Sequence, residues 1–440
     1  MKKHIYLRLI SLIAMLSVAL TVVSTPAQAA TPYKSHPIRV EPIIVKAQAS
    51  GSQSQFPCQT PGYAYRCYAP KQIRAAYSIQ PLLDKGITGK GRKIIIVDAY
   101  QSPTVQQDLD FFDNLFGLKS TKINVIAPDG LTPFDSTDPN QVGWAEEISL
   151  DVQWAHVVAP DATINLVLAK SNQDADILSV TQYAVEHNLG DVLSQSFGEA
   201  ESCVDPKLLV AEHEVFEKAA QKHITVLASS GDQGAAQATC DGSSYILSAS
   251  SPASDPLVTG VGGTQLNADL NTGKYISEVA WNEPAYGAGT GGGYSTIYKR
   301  PFYQNGVVKK AWRGVPDVSY NAAIDGGVLV HLGFPGVPTG TYDFGGTSAG
   351  SPQWAGIVAL LDQHANHRLG FINPTLYAIG KSWAKYPAAF HDIEKGNNTF
   401  AFTDANGATV TIPGYTAGDG WDATTGWGSP IVSHLIWYLW

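Results

Sequence analysis

The chain has 440 residues, a formal net charge of −9, and 15% charged and 10% aromatic side chains. That length supports a large core or more than one domain. The acidic balance argues against nucleic acid and anionic membrane as partners, and a surface poor in Lys and Arg suits a protein that must tolerate acid without strong positive self-repulsion.

The first residues, MKKHIYLRLISLIAMLSVALTVVSTPAQAA, carry a basic start (Lys2, Lys3, Arg8), an apolar run from Leu9 to Val23, and Ala27-Gln28-Ala29. This is the layout of a cleavable secretory signal over residues 1–29, so the protein is expected outside the cell and off the membrane after cleavage. No later stretch reaches the roughly 18 apolar residues of a membrane span. Residues 30–60 are polar and turn-rich and are expected to form a short, poorly ordered N-terminal arm. Four cysteines, Cys58, Cys67, Cys203 and Cys240, allow three pairings in an exported chain. Cys58–Cys67 with Cys203–Cys240 is expected, because the first closes a short loop and the second joins two strand-end loops. Zinc is the alternative, but no C-x-x-C spacing supports it.

From residue 61 the pattern is that of an α/β domain running to residue 440. KIIIVDAY (93–100), KINVIAP (122–128), TINLVLAK (163–170), DVLSQSFG (191–198), ITVLASSGDQG (224–234) and PLVTGVGG (256–263) read as buried strands. Helices are expected at 104–117, 141–160, 174–190, 205–223 and 348–366. The alternation predicts a mainly parallel central sheet flanked by helices, with chemistry at the carboxyl ends of its strands. The stretch 335–346 reads as loop.

GGTSAGSP (345–352) places Ser348 at the start of an apolar helix with Pro352 in its first turn. Ser348 is either an N-cap or a nucleophile aided by the helix dipole. A proton acceptor is then needed. None of the eleven histidines is followed by Gly-Thr, as a subtilisin-type histidine would be. The helix 141–160 offers Glu147 and Asp151 instead, four residues apart on one face of a helix apolar almost all round. Between Arg92 and Lys170 the only basic residues are Lys93, Lys119 and Lys122, so the pair lacks a local cation. Two buried carboxyls of this kind share protons, and one can serve a serine as general base. Asp232, in SSGDQG (229–234), follows a strand. It is an ordinary turn residue or, if protonated, a hydrogen-bond donor to an oxyanion.

With EISLD (147–151), SSGDQGA (229–235) and GGTSAGSP in this order, joined by YAPKQIRAAY (68–77), SQSFGEAE (194–201) and RGVPDVS (313–319), the sequence resembles the sedolisin family of serine-carboxyl peptidases. The resemblance covers about residues 60–440. It implies a subtilisin-like fold and acid hydrolysis of polypeptide substrates by a monomer. Ser348 is the implied nucleophile, Glu147 the base, Asp151 its orienting partner and Asp232 the oxyanion donor. It also implies a Ca2+ site at HDIEKGNN (391–398) and AGDGWD (417–422), with carboxylates from Asp392 and Asp422 and carbonyls from Ile393, Gly418 and Gly420. Calcium takes six or more oxygens, and glycine loops let carbonyls converge. Three positions depart from the family pattern: the arm is shorter than a full-length pro-domain, Asp98 stands where many relatives have glutamate, and Phe197 where tryptophan is common. Two rival readings are a histidine-dependent esterase using Gly346-Thr347-Ser348-Ala349-Gly350, and a catalytically silent binder of peptides or glycans.

Overall fold

The computed structural model describes residues 34–40, 42–47 and 56–439. The expected signal peptide lies outside the described residues. Ile94, Ile95, Ile96 and Val97 are fully buried, so the strand Lys93–Ala99 has no solvent face. Such a strand must be covered on both sides. It pairs in parallel with Thr163–Ala169 on one side and Val192–Gln195 on the other. Ile123–Ile126 extends the first side. Thr225–Ser229, Thr259–Ala268 and Val318–Asn321 extend the second, all in parallel. Tyr275–Ala280 alone joins this sheet antiparallel. This is the mainly parallel sheet flanked by helices expected from the sequence.

The alternation of side chains decides what covers each face. Ile94 and Ile96 share a core with Leu109, Trp154, Val157, Trp354 and Leu360 from helices Val105–Phe116, Pro139–Val158 and Gly350–Ala365. Ile95 and Val97 face the opposite way, onto Val180, Leu208 and Phe216 of Asp174–Glu186 and Pro206–Gln221. Each fully buried aliphatic side chain contributes about 1.5–3 kcal/mol.

Pro139–Val158, the acid helix, starts where Asp138 accepts from the Asn140 amide at 2.9 Å and Pro139 takes the first position. It stops short of Pro160. Every residue from Gly143 to Val158 is buried. Its polar groups are partly satisfied by the strand beside it: Trp154 Nε1 donates to Leu329 O at 3.0 Å, and the Gln153 amide bonds the His331 backbone in both directions.

Two sequence expectations need correction. The stretch 335–346 is not all loop: Gly340–Gly345 is a strand, antiparallel to Gly327–Leu332. The arm also contributes a strand, Ile43–Ala47, which pairs antiparallel along Gly340–Gly345. Together with Cys67–Tyr68 these make a separate four-stranded sheet. Glycines and Pro338 mask the short alternation of Tyr342 and Phe344, and the partner strands come from remote parts of the chain. A strand therefore does precede Ser348, but it lies in the small sheet and not in the central one. Both disulfides pair as expected, Cys58–Cys67 and Cys203–Cys240.

Candidate active site

The carboxyl ends of the central strands converge beside the acid helix. Asp98 closes Lys93–Ala99, Ser196 follows Val192–Gln195, and Asp232 follows Thr225–Ser229. Ser348 sits in a tight turn, Thr347–Ala349, that leads into Gly350–Ala365. Glu147, Asp232, Ser196 and Ser348 line one cleft, and among the described residues no histidine lines it.

Gly346 shapes this cleft. Its φ of +118° is a conformation that favours glycine. A Cβ there would stand 2.8 Å from Asp232 Oδ2 and 3.8 Å from the Ser348 amide nitrogen. Asp232 Oδ2 and the Ser348 N–H therefore border the same small space, kept open by the missing side chain. The other oxygen, Asp232 Oδ1, is held by the amide and the hydroxyl of Thr347, both at 2.7 Å.

Ser348 Oγ donates to the Ser196 carbonyl at 3.2 Å, and Glu147 lines the same cleft. Ser196 Oγ in turn donates to both oxygens of Asp151, at 2.7 and 2.9 Å. Ser196 thus ties the serine turn to the acid helix. Sequence reasoning did not single it out; the available signal was its place just past a parallel strand.

Burial dominates the electrostatics. It pushes Asp98 up to about 8. It holds Glu147 well above the carboxylate range, with help from the charges of Asp98 and Asp232, while the Ser348 bond pulls the other way. Asp151 is raised in the same manner by burial, Asp98 and Glu147, against its bond from Ser196. Asp232 is raised by burial, against the Thr347 bonds. Asp98, Glu147 and Asp151 raise one another and cannot all be charged at once. Glu146, next in the chain, is pushed up to about 7 by burial.

Of the five expected calcium ligands, Asp392 and Asp422 are joined through one loop. Gly420 N–H donates to Asp392 Oδ2 at 2.9 Å, and Gly418 N–H to Asp422 Oδ2 at 3.0 Å, so one glycine loop joins the two carboxylates. Asp392 Oδ1 is buried without a partner. Among the described residues no three His, Cys, Asp or Glu side chains cluster as a metal site. Two carboxylates, one of them with an orphaned buried oxygen, are hard-oxygen donors of the kind that suits Ca2+.

Residues 140–392 match the subtilase family. The chain belongs to this family, in its sedolisin branch. It is 33% identical over 398 residues to kumamolisin of Bacillus sp. strain MN-32, covering 88% of this chain and 66% of that protein. It is 33% identical over 352 residues to sedolisin of Pseudomonas sp. strain 101, covering 76% and 55%. Human tripeptidyl-peptidase 1 is 28% identical, covering 66% and 51%. The chain thus spans about half to two thirds of these relatives' length. A solved structure of Pseudomonas sedolisin, described as a serine-carboxyl proteinase complexed with two molecules of pseudo-iodotyrostatin, superposes with a TM-score of 0.71 at 29% identity. The match covers 85% of this chain and 98% of that one.

Proposed function

We propose that the protein is a secreted, acid-active serine-carboxyl endopeptidase. The observation that carries this reading is the meeting of Glu147, Asp232 and Ser348 in one cleft that no histidine lines among the described residues. In this reading Ser348 Oγ attacks the peptide carbonyl carbon and Glu147 takes its proton. The carbonyl oxygen, now an anion, accepts hydrogen bonds from the Ser348 N–H and from protonated Asp232 Oδ2 in the space beside Gly346. Glu147 then passes the proton to the leaving amine. Water repeats the sequence on the acyl-enzyme and frees Ser348. Asp151, bonded to Ser196 one turn beyond Glu147, orients the base through the shared proton set. The division into signal peptide 1–29, arm 30–60 and peptidase domain 61–440 belongs to the same reading.

The working state needs one ionised carboxyl and a protonated remainder. Raising the pH removes the proton that Asp232 must donate, so activity belongs to the acid range. Ca2+ would be held by Asp392 and Asp422 with the carbonyls of Ile393, Gly418 and Gly420. Its charge would offset the two carboxylates and fix the loop that joins them.

The test is hydrolysis of a denatured protein between about pH 2 and 9, the span of carboxyl and histidine titrations, beside a Glu147→Gln control. Acid activity lost in the control supports the reading. Neutral activity that survives the control overturns it.

A further inference from the structure

The net charge of −9, which argues against an anionic partner for the chain as a whole, is unevenly spread. Residues 363–391 and 423–440 hold no Asp or Glu. Parts of both stretches meet at the amino ends of the central strands, opposite the cleft. Helix Gly350–Ala365 starts beside Ser348 and runs back along the sheet. At its far end Gln363 Oε1 accepts the amides of Thr88 and Gly89, both at 2.7 Å, and of Lys90 at 3.1 Å, from the loop that leads into Lys93–Ala99. Arg368 Nε reaches Asp191 Oδ1 at 2.6 Å, just before Val192–Gln195. The loop, residues 84–92, adds Lys85, Lys90 and Arg92 against one acid, Asp84. The end of the chain joins this face. The rings of Trp437 and His364 meet in a T, 4.8 Å between centroids. Lys385 Nζ lies 5.5 Å from the Tyr438 ring, and His434 Nδ1 bonds Ala388 O at 3.0 Å. Trp383, in the turn between helices Asn373–Gly380 and Tyr386–Ala389, is 91% exposed, and Trp437 is 54% exposed. Lys85, Lys90, Lys381 and Lys385 are exposed on the same elements.

We propose that this face docks on an anionic lipid surface, with Trp383 and Trp437 seated at the level of the headgroups and Lys85, Lys90, Lys381 and Lys385 on the phosphates. A tryptophan left in water with a lysine two residues away on either side has the composition of an interfacial anchor: an amphipathic ring and cations beside it. Cations alone fit any polyanion. The exposed indoles select a surface that is apolar beneath its charge. The uneven charge also sets the orientation. The acid-free face turns toward the lipid, and the cleft, at the opposite ends of the strands, stays open to solution.

The test is co-sedimentation of the Ser348→Ala protein, which prevents cutting, with vesicles of phosphatidylcholine alone or mixed with phosphatidylglycerol. The starting salt is about 0.1 M, where charges act over about 10 Å. The expected result is binding to the mixed vesicles that weakens as salt is added. Changing Lys85, Lys90 and Lys385 together to Gln should weaken it on the order of 100-fold, at about fivefold per lysine. Trp383→Ala should weaken it about tenfold and leave the salt dependence in place. These side chains are exposed, so melting should not change; if Trp383→Ala melts lower, Trp383→Gln is read in its place. No binding, or equal binding to both kinds of vesicle, overturns the proposal. So does binding that the tryptophan variant leaves intact. Dextran sulfate tests a soluble polyanion: if it is held as tightly as the mixed vesicles, and equally by the tryptophan variant, the face is a polyanion site and the proposal falls. None of these outcomes depends on the peptidase reading.

Discussion

Replacing Asp98 by Asn should flatten the dependence of stability on pH. Asp98 is fully buried, both its oxygens lack a partner, and burial raises it from 3.8 to about 8. Between those values the folded chain keeps a proton that the unfolded chain has released. Stability therefore falls as pH rises. The contribution is whole below the unfolded value near 4 and is lost as pH climbs through about 8. At about 1.4 kcal/mol per unit over about four units, the loss is on the order of 5 kcal/mol. That is comparable with the entire stability of many domains. Because the charge of Asp98 also raises Glu147 and Asp151, the three titrate as a set, and Asn removes one ionisation from it. Asn leaves a buried amide unsatisfied at a cost of about 1–3 kcal/mol, but that cost does not vary with pH. The slope is therefore the quantity to compare. Guanidinium unfolding of the Ser348→Ala protein at pH 4, 5, 6 and 7, with and without Asp98→Asn, measures it. The parent should lose stability with rising pH, and the Asn variant should lose less by about one proton's worth. Equal slopes, or a parent that gains stability toward neutral pH, would refute the argument.

Ser348→Ala should abolish hydrolysis, a loss on the order of 10^6 in kcat, with circular dichroism and melting unchanged; residual turnover near the parent's would remove Ser348 from the mechanism. Asp232→Asn should keep activity and extend it to higher pH, because an amide donates whether or not the solution is acid, whereas Asp232→Ala should cost about 10^2–10^3 in kcat; an Asn variant as slow as the Ala variant would contradict the donor role. Chelating calcium should lower the melting temperature, since an ion at about 100 times its Kd stabilises by about 2.7 kcal/mol; equal melting of the Asp422→Ala and parent proteins in calcium would count against the site.

The chain itself specified the parallel sheet and most of its helices, because that information is local. Four consecutive apolar residues, Ile94–Val97, demand cover on both faces. Asp138, Pro139 and Pro160 mark the ends of the acid helix, and Gly117 ends another helix with φ +66°. The spacing of Glu147 and Asp151 marked a buried acid pair, and GGTSAGSP marked the serine, before any coordinates. The small sheet was not legible, since Ile43–Ala47, Cys67–Tyr68, Gly327–Leu332 and Gly340–Gly345 are strands only in each other's company. Ser196 was equally silent: a serine after a strand acquires meaning only when Asp151 and Ser348 stand on either side of it. The space beside Gly346 is likewise a product of packing. Residue patterns report burial and turns within a few positions, whereas the meeting of groups two hundred residues apart is decided by how the layers close.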